Sequence, residues 1–341
     1  MRADSPETDP AWPGSRAAGA AAPVARAVAP VAGRPPASAP SAWYAHRFNN
    51  ATSLRLILGI IPRLPRLLVP PIGMVTTTIC LALMRDERRA VVRNQARILG
   101  VRGWRLALAV WRQFYCFSRL MVSYCDLLAP ERARLQERLS AGRDDENHLR
   151  AALDRGRGVV VLTAHIGNWE VGAHFLARFG VPINMVMQAN RMSAAERWLM
   201  RRRESAGVRV IRIGTNPTAM LAMREALRRG EIVAAQGDRA PNERSLDVTL
   251  FGGRFRVPIG PFLLARLSEA PLVPAFVIQD GWWRWRAEVG DPILVAANGD
   301  QTAALATAAS RYAEVLERIV RRHPDQWFNF YDVWGEASGD A

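Results

Sequence analysis

A histidine and a glutamate five residues apart could together carry out general-base chemistry. His165 follows the hydrophobic run at 159–162, and Glu170 lies in the first turn of a predicted helix. A carboxylate at a helix N-terminus is stabilised there and can hydrogen-bond an imidazole at a strand end. With its Nδ1–H held, the histidine could deprotonate an alcohol through the other ring nitrogen. The composition gives about 0.45 such pairs by chance, so a purely structural histidine stays an alternative.

Strands alternate with helices around this histidine. Hydrophobic runs predict strands at 159–162, 183–188, 208–213, 231–236 and 271–278, with helices at about 168–179, 193–206, 217–229 and after Pro258. A hairpin turn at Asp280-Gly281 and a closing helix at 301–322 complete the pattern. Such alternation is typical of βαβ units. We therefore expect an α/β fold with a mainly parallel central sheet flanked by helices, with ligands at the carboxyl ends of its strands.

The region before residue 101 has a different character. Residues 1–42 are rich in Ala and Pro and are expected to be disordered, and residues 43–100 form a predicted helical segment associated with a membrane. Between Arg66 and Arg85 lie 18 uncharged residues, about 27 Å as a helix against a hydrocarbon core of about 30 Å. Prolines at 70 and 71 weaken a spanning helix. A span, a shallow amphipathic anchor and a buried core helix therefore all remain possible.

Residues 101–335 form the predicted main domain, followed by a flexible C-terminus at 336–341. The 46 basic residues are all arginine and exceed the 31 acidic ones, which gives a net charge of +15. This charge favours an anionic partner. The absence of lysine excludes Schiff-base chemistry and a P-loop. The three cysteines form no CxxC pair, so a reducing compartment is the default.

Several motifs occur in order along the chain. They are HIGNWE at 165–170, GD at 237–238, LFGGRFRVPIGPFLLAR at 250–266, APLVPAF at 270–276 and HPDQWFNFYDVW at 323–334. With the hydrophobic segment and RRAVVRNQARILG at 88–100, they resemble the bacterial lipid A late acyltransferases. That family, also called the lauroyl/myristoyl acyltransferases, belongs to the glycerolipid acyltransferase superfamily with its H-x4-D/E signature. The resemblance covers about residues 50–335 and makes 101–335 the acyltransferase domain.

The resemblance implies a catalytic pair. His165 would deprotonate the acceptor hydroxyl, and Glu170 would orient His165 and stabilise its imidazolium form. The alkoxide would then attack a thioester without an acyl-enzyme. A catalytic role for His174, on the same helix face as Glu170, is less favoured than packing.

The resemblance also implies substrate contacts. Arg203, in a run of three arginines, matches a family arginine that holds a phosphate or the donor. Asp238 falls where many members have an Asp-Gln pair, but Arg239 replaces the glutamine. Asn168 and Gly260 complete the predicted substrate-binding set, Gly260 because a glycine-rich loop before a helix can bring N–H groups to a phosphate or oxyanion. Structural roles remain the alternative for these residues.

These observations predict an O-acyltransferase at the cytoplasmic face of a bacterial inner membrane. Its donor would be an acyl carrier protein or CoA thioester, its acceptor a hydroxyl of a lipid or glycolipid, and it would need no cofactor and no metal. A lipid A precursor, a lysophospholipid and another glycolipid are all compatible acceptors, and an anionic membrane surface is a predicted partner. A non-catalytic lipid-binding or assembly protein of the same fold is the main alternative. A nucleic-acid-binding protein is a remote one, so no nucleic acid is expected as partner.

Overall fold

Five stretches of chain are described by the structure, a computed structural model: 59–127, 136–188, 208–214, 218–240 and 245–335. The predicted tail at 1–42, the predicted helix at about 193–206 and residues 336–341 lie outside the described residues. The division between a membrane-associated segment and an acyltransferase domain stays a prediction.

In the stretch 59–127, two short 3-10 turns (Ile61–Arg63 and Arg66–Leu68) lead into three longer helices, α1 (Val69–Leu83), α2 (Arg85–Leu99) and α3 (Gly103–Leu127). Two prolines occupy the first turn of α1, where a missing N–H costs no hydrogen bond, so they start this helix rather than break it. The window Arg66–Leu83 is long and apolar enough to cross a membrane by length and composition, and only 17% of it is buried. Helix α1 itself has 15 residues, which is about 22 Å.

The remaining elements form an α/β unit. The strands are β1 (Leu139–Ala141), β2 (Val159–Thr163), β3 (Ile183–Gln188), β4 (Arg209–Ile213), β5 (Ile232–Gln236), β6 (Ser245–Leu250), β7 (Gly253–Pro258), β8 (Leu272–Gln279) and β9 (Trp285–Val289). The helices are α4 (Arg143–Leu153), α5 (Trp169–Leu176), α6 (Ala219–Arg228), α7 (Gly260–Ser268) and α8 (Gln301–Arg322).

Seven strands form one sheet in the order β1-β9-β8-β2-β5-β3-β4. Strands β8, β2, β5, β3 and β4 are mutually parallel, and β9 runs antiparallel to β8. The predicted α/β class with a mainly parallel sheet is confirmed, as are the hairpin after β8 and the closing helix α8.

Alternate residues of the buried strands face two separate cores. In β2, Val160 and Leu162 pack towards α6, α7 and α8, whereas Val159 and Val161 pack towards α4 and α5. Side chains point to opposite faces with a period of two, so a strand between two helical layers is apolar throughout. The sheet is therefore the middle layer of three, and its carboxyl edge is left to form a site.

Two regions differ from the sequence expectation. The stretch predicted as a Gly/Pro-rich loop before α7 contains an antiparallel hairpin of β6 and β7. Its turn residues Phe251 and Gly252 have φ of 50° and 69°, and two positive φ angles match the twist of a two-residue hairpin. The apolar and then charged runs at 104–140 predict one or two amphipathic helices, but this segment ends in β1, which pairs with β9.

A C-terminal segment, defined here as residues 326–334, crosses the carboxyl edge of the sheet. The amide of Phe328 donates to the His165 carbonyl at 2.7 Å, and the amide of Gly167 donates to the Gln326 carbonyl at 2.9 Å. Ile166 and Trp327 thus form an antiparallel bridge. The segment also contributes Phe328 and Phe330 to the core between α2 and α3, and so joins the helical N-terminal part to the sheet.

Candidate active site

Two neighbouring parallel strands place a histidine and an aspartate at equivalent positions just beyond their carboxyl ends. Thr163, the last residue of β2, is in register with Gln236, the last residue of β5. His165 and Asp238 each follow two positions later. The Thr163 carbonyl accepts hydrogen bonds from the Gly237 amide and the Tyr312 hydroxyl, each at 2.8 Å. These bonds hold the two strand ends together where the chains turn into loops.

The two side chains form a short hydrogen bond. The imidazole Nδ1 of His165 lies 2.7 Å from Oδ1 of Asp238. Because a carboxylate is only an acceptor, Nδ1 carries the proton and donates it. The lone pair of the neutral ring is then on Nε2, where it can accept a proton. This is the tautomer that a general base acting through Nε2 requires.

Asp238 is fully buried, at 0% exposure, yet its charge is well satisfied. Its Oδ2 accepts from the His165 amide at 3.0 Å, from the Trp327 indole N–H at 3.0 Å and from the Asn329 side-chain amide at 3.4 Å. Burial by itself raises the pKa of this carboxyl, but His165 and the Arg239 guanidinium outweigh it and hold the pKa below its usual value. Asp238 is therefore a carboxylate at neutral pH.

His165 is neutral at the same pH. Burial and then the charge of Arg239 lower its pKa below the ordinary histidine value, and Asp238 only partly opposes them. The side chain keeps 14% of its surface exposed, and its ring contacts that of Trp169 at 5.3 Å between centroids. A neutral, partly accessible imidazole with its tautomer fixed is able to take a proton from a bound hydroxyl.

The partner on Nδ1 differs from the predicted one. The sequence pattern assigned the orienting carboxylate to Glu170, which is buried in the first turn of α5. In the structure Asp238, predicted to contact substrate, occupies that position from 73 residues away. Nδ1 has one hydrogen to donate, and in this structure Asp238 accepts it, so the catalytic role of Glu170 stays a prediction. His174 lies in the last turn of α5, one turn beyond Glu170.

Asn168 and Arg239 have structural partners in this region. The Asn168 side chain is buried, accepts from the Val171 amide to cap α5, and donates to Ser123 Oγ at 2.7 Å. Asn168 is fully buried and caps α5 in this structure, and its predicted substrate contact stays a prediction. The half-buried Arg239 donates to Asn329 Oδ1 at 2.9 Å and to the Phe328 carbonyl at 2.8 Å. It therefore lies beside the His165–Asp238 pair.

The other predicted residues lie elsewhere. Gly260 is the first residue of α7, and a Cβ atom added there would meet nothing within 4 Å. Arg203 lies outside the described residues. Within the described stretches no group of three His, Cys, Asp or Glu side chains could hold a metal ion.

The contacts of the C-terminal segment with Asp238 are not apparent from the sequence. The tryptophan-rich sequence of the tail predicts packing in the core or at a membrane interface, yet Trp327 and Asn329 donate directly to Asp238. The sequence signal for the His165–Asp238 pair is that each residue closely follows the end of a predicted strand, 159–162 for His165 and 231–236 for Asp238.

The fold and this site together define a class of protein. It is an α/β protein with a buried His–Asp pair at the carboxyl edge of a parallel sheet, suited to activating a hydroxyl group. Residues 50–335 match the family of bacterial lipid A biosynthesis acyltransferases, and the chain belongs to this family.

Two proteins similar to this chain are named phosphatidylinositol mannoside acyltransferases. A phosphatidylinositol mannoside acyltransferase of Mycolicibacterium smegmatis (strain ATCC 700084 / mc(2)155) is 29% identical over 210 residues, which are 61% of this chain and 66% of that protein. The protein of the same name from Mycobacterium tuberculosis (strain ATCC 25618 / H37Rv) is 28% identical over 203 residues, 59% of this chain and 61% of that protein. The chain thus matches a little under two thirds of the length of these relatives.

Proposed function

We propose that this protein is an O-acyltransferase that moves a fatty acyl chain from a thioester to a hydroxyl of a lipid or glycolipid. The observation that carries the proposal is the His165–Asp238 pair, with Nδ1 donating at 2.7 Å and Nε2 left as the base. Membership of an acyltransferase family supports it. The relatives named for a phosphatidylinositol mannoside favour a glycolipid acceptor with sugar hydroxyls over a simple lysophospholipid.

The proposed reaction proceeds without an acyl-enzyme. Nε2 of His165 takes the proton from the acceptor hydroxyl while its oxygen attacks the thioester carbonyl. A C–O bond forms, the C–S bond breaks, and the leaving thiolate takes the proton back from the imidazolium. Asp238 stabilises the imidazolium between these steps, as the aspartate of a Ser-His-Asp triad does. The products are an ester and a free thiol, so no cofactor is consumed.

The donor is proposed to be an acyl carrier protein or CoA thioester. Both are anionic, and the net charge of +15 favours their approach. Arg203 stays a prediction as a phosphate or donor contact, and Gly260 stays one as part of the α7 N-terminus. Glu170 does not accept the hydrogen bond from Nδ1 of His165. We therefore expect substitution of Glu170 to lower kcat less than substitution of Asp238.

The site of action is proposed to be the cytoplasmic face of a bacterial inner membrane, with α1 lying in the membrane surface. One face of α1 packs on α3 through buried Val69, Gly73 and Thr77, and the Trp111 indole donates to Thr78 Oγ1 at 3.3 Å. The other face exposes large apolar side chains, namely Leu67 and Leu68 just before the helix and Ile72, Met74, Val75, Ile79 and Leu83 within it. A helix with one narrow face packed on protein and an exposed apolar face suits a shallow position in an anionic interface better than a span.

The activity test uses purified full-length protein with acyl carrier protein and CoA thioesters. The acceptors are lipid A precursors, lysophospholipids and phosphatidylinositol mannosides, and products are followed by mass spectrometry. We expect an acceptor heavier by one acyl group with the wild-type protein and none with His165→Ala. His174→Ala is the matched control and should remain active. Product formation by His165→Ala would overturn the assignment, and lipid binding without any product would favour the non-catalytic alternative.

The membrane test compares flotation with neutral vesicles and with vesicles containing anionic phospholipid. We expect stronger flotation with the anionic vesicles, and a loss of it when Ile72, Val75 and Ile79 are all replaced by serine. The control replaces exposed leucines away from α1, namely Leu221, Leu267 and Leu294. Equal flotation of both triple variants would contradict the proposed role of α1.

A further inference from the structure

We propose that the C-terminal segment is a positioning element of the active site, and that Trp327 and Asn329 set the protonation behaviour of His165 through Asp238. This inference rests on the proposed function, because it concerns the same base. Neither residue is positioned to touch a substrate, since each side chain is 1% exposed. Their effect must therefore reach the reacting atoms through the residues that they hold, which are Asp238 for both and also Arg239 for Asn329.

The first argument is that the two carboxylate oxygens of Asp238 have different hydrogen-bond partners. Oδ1 of Asp238 faces the imidazole of His165, while the donors from Trp327 and Asn329 both reach Oδ2. A carboxylate held at one oxygen by several donors cannot rotate freely, so its other oxygen stays aimed at Nδ1. The two side chains thus fix the orientation of the Asp238 carboxylate.

The second argument is that the same segment also holds the histidine loop. The Phe328 amide donates to the His165 carbonyl, and the Gln326 carbonyl accepts from the Gly167 amide. Backbone pairing of this kind fixes the loop irrespective of side-chain identity. The C-terminal segment therefore holds both His165 and Asp238 in place, and the 2.7 Å distance between Nδ1 and Oδ1 depends on it.

The third argument concerns charge. Asn329 donates to Asp238 with its amide nitrogen and accepts from Arg239 with its amide oxygen. Arg239 is held a second time by the Phe328 carbonyl. A guanidinium fixed beside the imidazole disfavours the imidazolium form. Asn329 therefore places a positive charge where it keeps His165 neutral in the resting enzyme.

The test uses Trp327→Phe, which removes the indole N–H, and Asn329→Ala, which removes both bridging contacts. A weaker hold on the Asp238 carboxylate makes it a stronger acceptor, and a released Arg239 disfavours the imidazolium less. Both changes should move the acid limb of the kcat profile to higher pH. We expect kcat to fall about tenfold with KM unchanged, as for the loss of a hydrogen bond to a buried charge.

The matched control is Trp285→Phe in β9. Trp285 is equally buried, and among the described residues its indole nitrogen has no hydrogen-bond partner. Trp285→Phe makes the same change of ring in a buried position without breaking a hydrogen bond, and it should leave the kcat of the folded fraction and the acid limb unchanged. If Trp327→Phe and Asn329→Ala behave like this control, the inference is overturned and the segment is only structural.

A second measurement separates this inference from the proposed function. The imidazole of His165 is titrated by NMR, and its signal is identified by its loss in His165→Gln. An upward shift of this pKa in Trp327→Phe and Asn329→Ala supports the inference even if no donor or acceptor yields product. An unchanged titration in both variants overturns it even if the wild-type protein is an active acyltransferase.

Discussion

Replacing Asp238 with asparagine tests the assignment of the base most directly, because the structure dictates how the new amide must sit. Oδ2 faces three donors, from the His165 amide, Trp327 and Asn329. An NH2 group cannot be placed against three N–H groups, so the amide oxygen must take the Oδ2 position. The NH2 group then faces Nδ1 of His165 and donates to it. This reverses the hydrogen bond and moves the ring proton to Nε2.

The expected loss follows from that reversal. With Nε2 protonated, the neutral ring has no lone pair towards the acceptor hydroxyl, and the imidazolium loses its counter-charge. A reversed tautomer of this kind costs about 10⁴-fold in kcat, or about 5.5 kcal/mol of transition-state stabilisation. The fold should tolerate the change, because every hydrogen bond has a partner again. Unfolding should become easier by only about 1–3 kcal/mol.

The assay is single-turnover acyl transfer at saturating donor, with urea unfolding and His165 NMR on the same sample. The acid limb of the wild-type pH profile should lie below pH 6.5, because the pKa of His165 is lowered and the base is active only when it is neutral. Asp238→Asn with correct folding and more than a tenth of the wild-type kcat would refute the argument. A ring that keeps its proton on Nδ1 in this variant would refute it as well.

Three further changes probe the site and its scaffold. Glu170→Gln should reduce kcat far less than Asp238→Asn, and an equal loss in the same assay would return the orienting role to Glu170. Gly167→Ala should destabilise the fold by about 2 kcal/mol or more in urea unfolding, because φ is 58° there and a Cβ would meet a carbonyl of β8; wild-type stability would contradict this. The pKa of Glu231 is lowered to about 2, first by the hydrogen bond from Arg229. Its contribution is complete above pH 4.5 and fades towards pH 2, so Glu231→Gln should lower Tm at pH 7 and match the wild-type protein near pH 2; an equal deficit at both pH values would argue against this ion pair.

The layered sheet could be predicted because its signals are local. Runs such as 159–162 and 232–235 are apolar at every position, as expected for a strand between two helical layers. The β6–β7 hairpin was missed because its turn glycines suggested a loop. Its period-two burial at Val248, Leu250, Phe255 and Val257 is clear only once the pairing is known.

The partner of His165 could not be predicted in the same way. The H-x4-E spacing pointed to Glu170, five residues away, whereas the observed partner follows a strand that is adjacent in space but not consecutive in the chain. Strand order depends on how all helical layers pack, which no short pattern encodes. For the same reason the apolar ring of Trp327 predicts a packing role, although its indole N–H donates a hydrogen bond to Asp238.

The position of the C-terminal segment in the chain also determines when the protein becomes reactive during synthesis. Residues 326–334 follow every strand of the sheet, so a growing polypeptide can assemble its layers and expose α1 before Trp327 has been made. Until then Asp238 lacks two of its donors, and the loop bearing His165 lacks its backbone partners. If the proposed function holds, a chain interrupted before Trp327 would lack these contacts around its base and would be inactive in acyl transfer.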